Sequence, residues 1–234
     1  MSKTLRTYLL DLSRENLLDL LDKDKCFVEI GVAEGAFSQE ILQRCRPSSL
    51  TLIDLWAHQE DPAYAPDVNN VEAETQAARY QAVKDRFSGP NVSILRQDSL
   101  SAANLFADGS LDYIYIDAMH TFEAVSADLH AWWPKLAEGG LLMGHDYANH
   151  IVAVKSGFGV VEAVNKFVQE TGCTFIGITN ETYPYPTYIL ARSWHKKAAE
   201  IHDKANILCS FDTGSMGWEL MPLPDGSIKI FPKF

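Results

Sequence analysis

Seven short apolar runs, separated mostly by stretches with helical spacing, constrain the fold of this 234-residue chain more than any other feature. Each run has the length and apolar character of a buried strand. The runs occupy residues 26–30, 50–53, 92–95, 111–116, 140–143, 174–178 and 187–190. Helical patterns fill most of the gaps, at residues 38–44, 73–86, 121–135 and 159–170. This alternation predicts an α/β protein with a doubly wound seven-stranded sheet flanked by helices.

The last two runs are the exception, because only the polar stretch TNETYPYP lies between them. A stretch of that length with two prolines is too short for a crossover helix, so the two strands should pair antiparallel. The predicted sheet is therefore Rossmann-like and mostly parallel, with an antiparallel last strand.

The first run ends in the turn VEIGVAEGAFS, residues 28–38, which leads directly into a helical pattern. Glu29 closes the strand, while Gly31 and Gly35 allow the backbone to turn sharply and bring its amides close to a ligand. A dinucleotide fingerprint counted from Gly31 would need glycines where this chain has Ala33 and Ala36. The turn thus predicts a cofactor site that is not built for NAD.

Polar residues follow the next two strands as well, and ligands of open α/β sheets bind beyond the carboxyl ends of the strands. Asp54 comes about twenty residues after the glycine turn, where a carboxylate can bind both hydroxyls of a ribose. Asp98 and Ser99 follow the third strand. Asp54 alone is typical of an ordinary polar strand end, but together with the turn and Asp98 it indicates a nucleoside-containing cofactor.

The turn at residues 28–38 resembles motif I of the class I S-adenosylmethionine (SAM) methyltransferases. Asp98 resembles the acid that reads the adenine amino group in that family. The resemblance implies SAM as the cofactor, and it implies the following cofactor-binding residues: Glu29, Gly31, Gly35, Asp54, Asp98 and Ser99.

The sequence YIYIDAMH spans the end of the fourth strand, and GGLLMGHDY spans the fifth. Asp117 and His120 are therefore followed after the next strand by Asp146 and Tyr147. This spacing resembles the metal-dependent sugar and natural-product O-methyltransferases, a branch that includes macrolide sugar O-methyltransferases and cephalosporin-hydroxylase-like proteins. The match in organisation covers roughly residues 26–192. It implies that Asp117 and Asp146 are metal ligands at the catalytic centre and that His120 is the general base.

The chemistry suits these residue types. A hydroxyl is a poor nucleophile at neutral pH, and a hard divalent cation held by carboxylates can bind its oxygen and lower its pKa. A histidine beside it can remove the proton, because its ordinary pKa of about 6.5 is close to the working pH. The sulfonium of SAM already carries a good leaving group, so the enzyme mainly has to align the reacting atoms and exclude water.

The chain departs from the branch at one position, where His145 replaces the first of two adjacent acids. As a third metal ligand, its imidazole would suit Mg²⁺ poorly and Mn²⁺, Fe²⁺ or Zn²⁺ better. The alternatives are that His145 points elsewhere and leaves two carboxylates with waters, or that the site holds no metal and relies on His120. We expect a divalent metal, Mg²⁺ or Mn²⁺, and leave its identity open.

Net charge and the spacing of the cysteines limit the kinds of partner and compartment that we expect for this protein. With 20 Lys+Arg against 31 Asp+Glu the formal net charge is −11, which disfavours a nucleic-acid partner. Four scattered cysteines without a C-x-x-C pair favour packing roles in a reducing cytoplasm. No window reaches the roughly 18 uninterrupted apolar residues of a membrane span, so we expect a soluble protein with no membrane partner.

Three segments complete the predicted organisation: an N-terminal helical segment at residues 1–24, the SAM-binding domain at 25–192, and a C-terminal extension at 193–234 with a helix and short strands. The apolar residues Trp218, Phe231 and Phe234 make that extension a candidate dimerisation arm, and hence the protein a candidate homo-oligomer. Residues 56–71 are either a lid or substrate loop or a disordered insertion.

The sequence therefore predicts an enzyme, a SAM-dependent O-methyltransferase that acts on a hydroxyl of a sugar or small natural product. The alternative is a SAM-binding, non-catalytic or regulatory protein with a Rossmann-like fold, since fold alone does not fix function. Intact Asp117, His120 and Asp146 argue against that alternative.

Overall fold

A computed structural model describes residues 5–215, 217–222 and 228–233. Its strands are β1 (Arg6–Leu10), β2 (Cys26–Ile30), β3 (Ser49–Asp54), β4 (Val92–Arg96), β5 (Leu111–Ile116), β6 (Leu136–Gly144), β7 (Thr174–Thr179), β8 (Tyr188–Ala191), β9 (Ile207–Asp212), β10 (Gly217–Pro222) and β11 (Ile228–Lys233). The first nine form one sheet in the order β4-β3-β2-β5-β6-β8-β7-β1-β9, and β10 pairs with β11 in a separate antiparallel pair.

The helices are α1 (Arg14–Asp19), α2 (Ala36–Cys45), α3 (Ala73–Arg86), α4 (Ser99–Ala103), α5 (Phe122–Trp132), α6 (Ile151–Lys155), α7 (Val160–Thr171) and α8 (Lys196–Lys204). Short 3-10 turns lie at Pro62–Tyr64, Trp133–Lys135 and Thr213–Ser215. Among the described helices, none has both the length and the apolar character that crossing a membrane requires.

All seven predicted strands are present, as β2 to β8, and β8 runs antiparallel to β6 and β7 as expected. The predicted total of seven is wrong, because the sheet has nine strands over the described residues. The two extra strands come from the flanking segments: β1 pairs in parallel with β7, and β9 pairs antiparallel with β1. The N-terminal and C-terminal segments thus extend the central sheet.

The prediction of an N-terminal helical segment is wrong at Arg6–Leu10, where the chain forms β1; α1 follows it. Leu9 and Leu10 are both buried, but they belong to the hydrophobic cores on opposite faces of the sheet. Successive side chains of a strand point to opposite faces, so a strand covered on both sides can carry adjacent leucines. Adjacent leucines are also common in helices, which is why the pattern misled the prediction.

Helices cover both faces of the sheet and create two cores. On one face Leu129 of α5 and Phe167 of α7 pack against the strands, and on the other Leu18 of α1, Ile41 of α2 and Ile201 of α8 do so. This is the doubly wound arrangement that the sequence predicts. Because the central strands are parallel, their carboxyl ends meet at one edge of the sheet, where ligands of such folds bind.

The C-terminal extension contains α8, β9, β10 and β11, in agreement with a helix followed by short strands. Trp218 lies in β10 and Phe231 in β11, while Phe234 falls outside the described residues. A dimerisation arm in this region stays a prediction.

Candidate functional site

The glycine turn after β2 has the tight geometry that the sequence predicts. Gly31 has φ +88° and Gly35, the N-cap of α2, has φ +76°. A Cβ atom on Gly31 would lie 1.9 Å from the carbonyl oxygen of Asp117, and one on Gly35 would lie 2.5 Å from the Phe87 ring. Both positions therefore require glycine, for backbone conformation and for space.

Asp54, at the end of β3, holds the glycine turn in place. Its Oδ2 accepts hydrogen bonds from the backbone N–H groups of Val32, at 2.9 Å, and Ala33, at 2.8 Å. Its Oδ1 accepts one from the N–H of Trp56, at 2.8 Å. Because each carboxylate oxygen can accept more than one hydrogen bond, Asp54 can position the turn and also face a ligand.

A cavity of about 410 Å³ opens at the carboxyl edge of the sheet, in front of these residues. Its volume lies in the range of small-molecule sites. Four of the six predicted cofactor residues line it: Gly31, Asp54, Asp98 and Ser99. The lining continues to Asp117, at the end of β5.

The other two predicted cofactor residues, Glu29 and Gly35, do not line the cavity. Glu29 is buried and accepts a hydrogen bond from the Ser38 hydroxyl in α2. Burial raises the pKa of this carboxyl to about 8, although the Ser38 hydrogen bond opposes that rise. Glu29 therefore joins β2 to α2 beneath the turn. Gly35 contributes by allowing the backbone conformation of the turn.

At the far end of the cavity, Asp98 and Ser99 begin α4. Asp98 is the N-cap, and its Oδ1 accepts a hydrogen bond from the N–H of Ser101 at 2.9 Å. That hydrogen bond lowers the pKa of Asp98. The Ser99 hydroxyl donates to Asp128 Oδ1 at 2.5 Å and accepts from Trp132 Nε1 at 2.8 Å.

The loop at residues 56–71 forms part of the cavity wall. The Asn70 side chain ties its two ends together, since Oδ1 accepts from the Gln59 N–H at 2.8 Å and Nδ2 donates to the Gln59 carbonyl at 2.9 Å. Gln59, Tyr64 and Asn70 all line the cavity. The loop therefore borders the cavity, and its role as a lid or substrate loop stays a prediction.

Asp117, His120 and Asp146 form a compact cluster next to the cavity, with one ligand-type atom from each lying within 4.8 Å of the others. His120 Nε2 is 2.6 Å from Asp146 Oδ2 and 3.6 Å from Asp117 Oδ1. The His120 ring stacks on Phe158, with centroids 4.5 Å apart and an interplanar angle of 18°. Asp146 has φ +61°, a left-handed conformation that non-glycine residues rarely adopt.

The charges within this cluster shift one another's titration. Burial by itself would lower the pKa of His120, but its contacts with Asp117 and Asp146 outweigh burial and raise that pKa to about 10. Burial would raise the pKa of Asp146, yet His145 and His120 hold it well below its usual range. The imidazole and the carboxylates lie close enough to stabilise one another's charged forms.

The predicted metal set of Asp117, His145 and Asp146 stays a prediction, and the structure brings His120 to the same two acids. His145 Nδ1 lies beside them, 3.2 Å from Asp146 Oδ1 and 3.9 Å from Asp117 Oδ2. Sequence spacing cannot show ring directions, and here the stacking of His120 on Phe158 holds its ring against the acids.

The cluster fits a divalent cation. His120 Nε2 is buried and 2.6 Å from a carboxylate oxygen, but it makes no hydrogen bond of acceptable geometry. Two carboxylates and an imidazole nitrogen this close together form a donor set that one cation could share. Two carboxylates with an imidazole favour Mn²⁺, Fe²⁺ or Zn²⁺ over Mg²⁺.

Two residues near the site were not predicted. Arg14, from α1, places Nη1 3.5 Å from Asp117 Oδ2 and its guanidinium 4.8 Å from the Phe37 ring centroid. Asp128, from α5, is buried and lines the cavity. The sequence held a signal for Asp128, which falls on the buried stripe formed by Val125, Leu129 and Trp132.

The glycine turn is fixed by a strand-end carboxylate, and a cavity lies along the carboxyl edge of a doubly wound sheet. These are the features of the α/β proteins that bind a nucleoside-containing ligand. A family model described as "Methyltransferase domain" matches residues 28–147, just over half of the chain. The chain belongs to this family and is a SAM-dependent methyltransferase. No curated protein sequence matches it.

Solved structures resemble the chain in fold. The N-methyltransferase NodS from Bradyrhizobium japonicum WM9 has a TM-score of 0.55 at 16% identity, with 77% of this chain and 95% of NodS covered. A SAM-dependent methyltransferase from Aquifex aeolicus has a TM-score of 0.54 at 10% identity, covering 76% and 89%. A Streptococcus mutans protein in complex with SAH has a TM-score of 0.51 at 12% identity, covering 75% and 93%. At these identities the likeness supports the fold alone.

Proposed function

We propose that this methyltransferase transfers the methyl group of SAM to a hydroxyl of a sugar or small natural product, with a divalent cation at Asp117 and Asp146 and His120 as general base. One observation carries the proposal: Asp117 both lines the cofactor cavity and belongs to the acidic cluster. The methyl donor's cavity and a group of acid-base residues therefore meet at one side chain.

The strand order supports an orientation for the cofactor. Neighbouring strands lie about 4.8 Å apart, and along the carboxyl edge β4, β3, β2, β5 and β6 follow one another. Their ends bring Asp98, Asp54, Gly31, Asp117 and Asp146 in that order. We assign the adenine to the β4 end, the ribose to Asp54 and the methyl group to the β5 end.

The reaction needs few groups from the protein. SAM supplies an electrophilic methyl group on a positively charged sulfur. His120 takes the proton from the acceptor hydroxyl, the oxygen forms a bond to the methyl carbon, and the carbon–sulfur bond breaks with its electron pair going to sulfur. The products are the methyl ether, SAH and protonated His120. Asp117 and Asp146 stabilise that imidazolium.

The cation and the His120 proton are expected to compete. A divalent cation held by Asp117 and Asp146 would bind the acceptor oxygen and lower its pKa. It would also neutralise the charges that raise the pKa of His120, so the imidazole could stay neutral and act as a base. His145, at 3.2 Å from Asp146 Oδ1, is positioned to support the ligands.

The test separates a base from a ligand. SAH formation is measured with Mn²⁺ and a panel of sugars, phenols and amines, for wild type, His120→Asn and His145→Asn. If His120 is the base, His120→Asn lowers kcat about a hundredfold or more while Mn²⁺ and SAH affinities persist. Loss of Mn²⁺ affinity in that variant would make His120 a ligand instead. Methylation of amines alone, or full activity after exhaustive chelation, would overturn the proposal.

The remaining parts of the proposal concern partners and location. We expect a small-molecule acceptor, no nucleic-acid or membrane partner, and assembly into a homo-oligomer. All four cysteines are free thiols, which fits a reducing cytoplasm. Size-exclusion chromatography with light scattering tests the oligomer, and a monomer at micromolar concentration would contradict it.

A further inference from the structure

Asp128 is a buried carboxylate in the cofactor cavity that the methyl-transfer chemistry does not use. It lies in α5, is 5% exposed, and lines the cavity near Ser99. Its neighbours on the same helix face, Val125, Leu129 and Trp132, are core residues. A carboxylate on such a face is costly to bury unless its oxygens find donors.

The hydrogen bonds of Asp128 account for only one of its two oxygens. Ser99 Oγ accepts from Trp132 Nε1, so its own proton is directed to Asp128 Oδ1. Throughout the part of the chain that the structure describes, no side chain or backbone group donates to Asp128 Oδ2, and no Lys, Arg or His forms an ion pair with this residue. Burial raises its pKa to about 6, although the Ser99 hydrogen bond opposes that rise.

The position of Asp128 within the cavity indicates which part of a bound cofactor could donate a hydrogen bond to it. Ser99, its partner, begins α4 directly after β4, and Asp98 is close enough for its charge to raise the pKa of Asp128. This end of the cavity lies three strands away from Asp117 on β5. It is the end to which the strand order assigns the purine of the cofactor.

We propose that Asp128 recognises the exocyclic amino group of the cofactor's adenine through Oδ2, with Ser99 and Trp132 as positioning residues that hold the carboxylate in place. The proposal rests on SAM binding in this cavity. An amino group presents N–H donors to a carboxylate, whereas a 6-oxo purine would present an acceptor and be repelled. Asp98 Oδ1 caps α4, and Asp128 adds a second carboxylate at this end of the cavity.

Calorimetric titration of the full chain with SAH and with its 6-oxo analogue, S-inosyl-L-homocysteine, tests this assignment. Wild type should bind SAH more tightly than the analogue. Asp128→Asn should weaken SAH binding at least about tenfold and narrow or reverse that preference, because the new amide can donate to the 6-oxo group. Glu123→Gln, which removes an exposed carboxylate from the same helix, should bind both ligands like wild type.

Circular dichroism and thermal melting show whether Asp128→Asn is folded. If it is not folded, Ser99→Ala replaces it, because this variant keeps the Asp128 carboxylate but removes the hydroxyl that orients it. SAH affinity should then fall several-fold, with little change in affinity for the analogue. Equal binding of both ligands by wild type and the folded variant would overturn the assignment. Failure of wild type to bind SAH at all would instead overturn SAM binding in this cavity.

Discussion

Replacing Gly31 by alanine should destabilise the protein strongly, because two separate costs fall on one position. A non-glycine residue at φ +88° costs about 1–2 kcal/mol in backbone strain. The new Cβ would also lie 1.9 Å from the Asp117 carbonyl oxygen, which must retreat by about 1.5 Å to reach ordinary contact. That shift loosens the hydrogen bonds from Gly31 N–H to Ile53 and from Asp117 N–H to Ile30, which are 2.9 and 2.8 Å long.

At about 1 kcal/mol for each hydrogen bond, the total loss is about 3–4 kcal/mol. The matched control is Gly172→Ala, whose φ is +68° but whose Cβ would have nothing within 4 Å. It should cost about 1–2 kcal/mol, from strain alone. Urea unfolding gives both values, and Gly31→Ala should lower Tm by about 6–15 °C. Equal destabilisation of the two variants, or unchanged SAH affinity in Gly31→Ala, would refute the close contact with Asp117.

Three further perturbations probe the site. Because burial raises the pKa of Glu29 from 4.5 to about 8, its stabilising contribution is complete below pH 4.5 and declines as pH rises to about 8. Glu29→Gln should flatten this decline in the free energy of unfolding, measured by urea melts at several pH values. An unchanged dependence on pH would contradict it. Asp54→Ala loses the acceptor of three backbone N–H groups and should cost about 3 kcal/mol and most SAH affinity. Exposed Asp61→Ala, which loses one such bond, should cost at most about 1 kcal/mol; similar losses would argue against a special role for Asp54. Mn²⁺ binding near pH 8 should release the His120 proton. In calorimetric titrations the enthalpy of Mn²⁺ binding should then depend on the buffer that takes up this proton, and His120→Asn should remove that dependence. A binding enthalpy that is the same in every buffer would contradict the prediction.

The sequence is a good guide to the centre of the fold and a poor one to its edges, for a physical reason. Strands β2 and β5 are buried on both faces and paired on both sides, so they are continuous apolar runs, and their predicted bounds are those observed. In β9, at the sheet edge, Ile207 and Leu208 are exposed and the segment lacks a buried pattern. What makes it a strand is pairing with distant β1, which short-range periodicity does not encode.

The site divides in a similar way. Residues that follow a strand directly, such as Asp54 and Asp117, could be predicted because strand order fixes where they emerge. The approach of His120 to both acids could not, because it depends on the Phe158 ring, which a separate loop brings beside His120. Asp128 could not be predicted either, because nothing in the sequence shows that this side of α5 borders the cavity.

Asp117 couples the two halves of the site through different atoms. Its carbonyl oxygen packs against Gly31 in the turn, while its carboxylate faces His120 and Arg14. The backbone contact depends on the position of the chain and not on the side chain, so Asp117→Asn should leave the turn intact and change only the charge of the cluster. Gly31→Ala should do the reverse, by moving the Asp117 backbone without altering any charge. Comparing SAH affinity with Mn²⁺ affinity in these two variants therefore separates donor binding from the acid-base cluster, because one variant changes the Asp117 side chain and the other displaces its backbone.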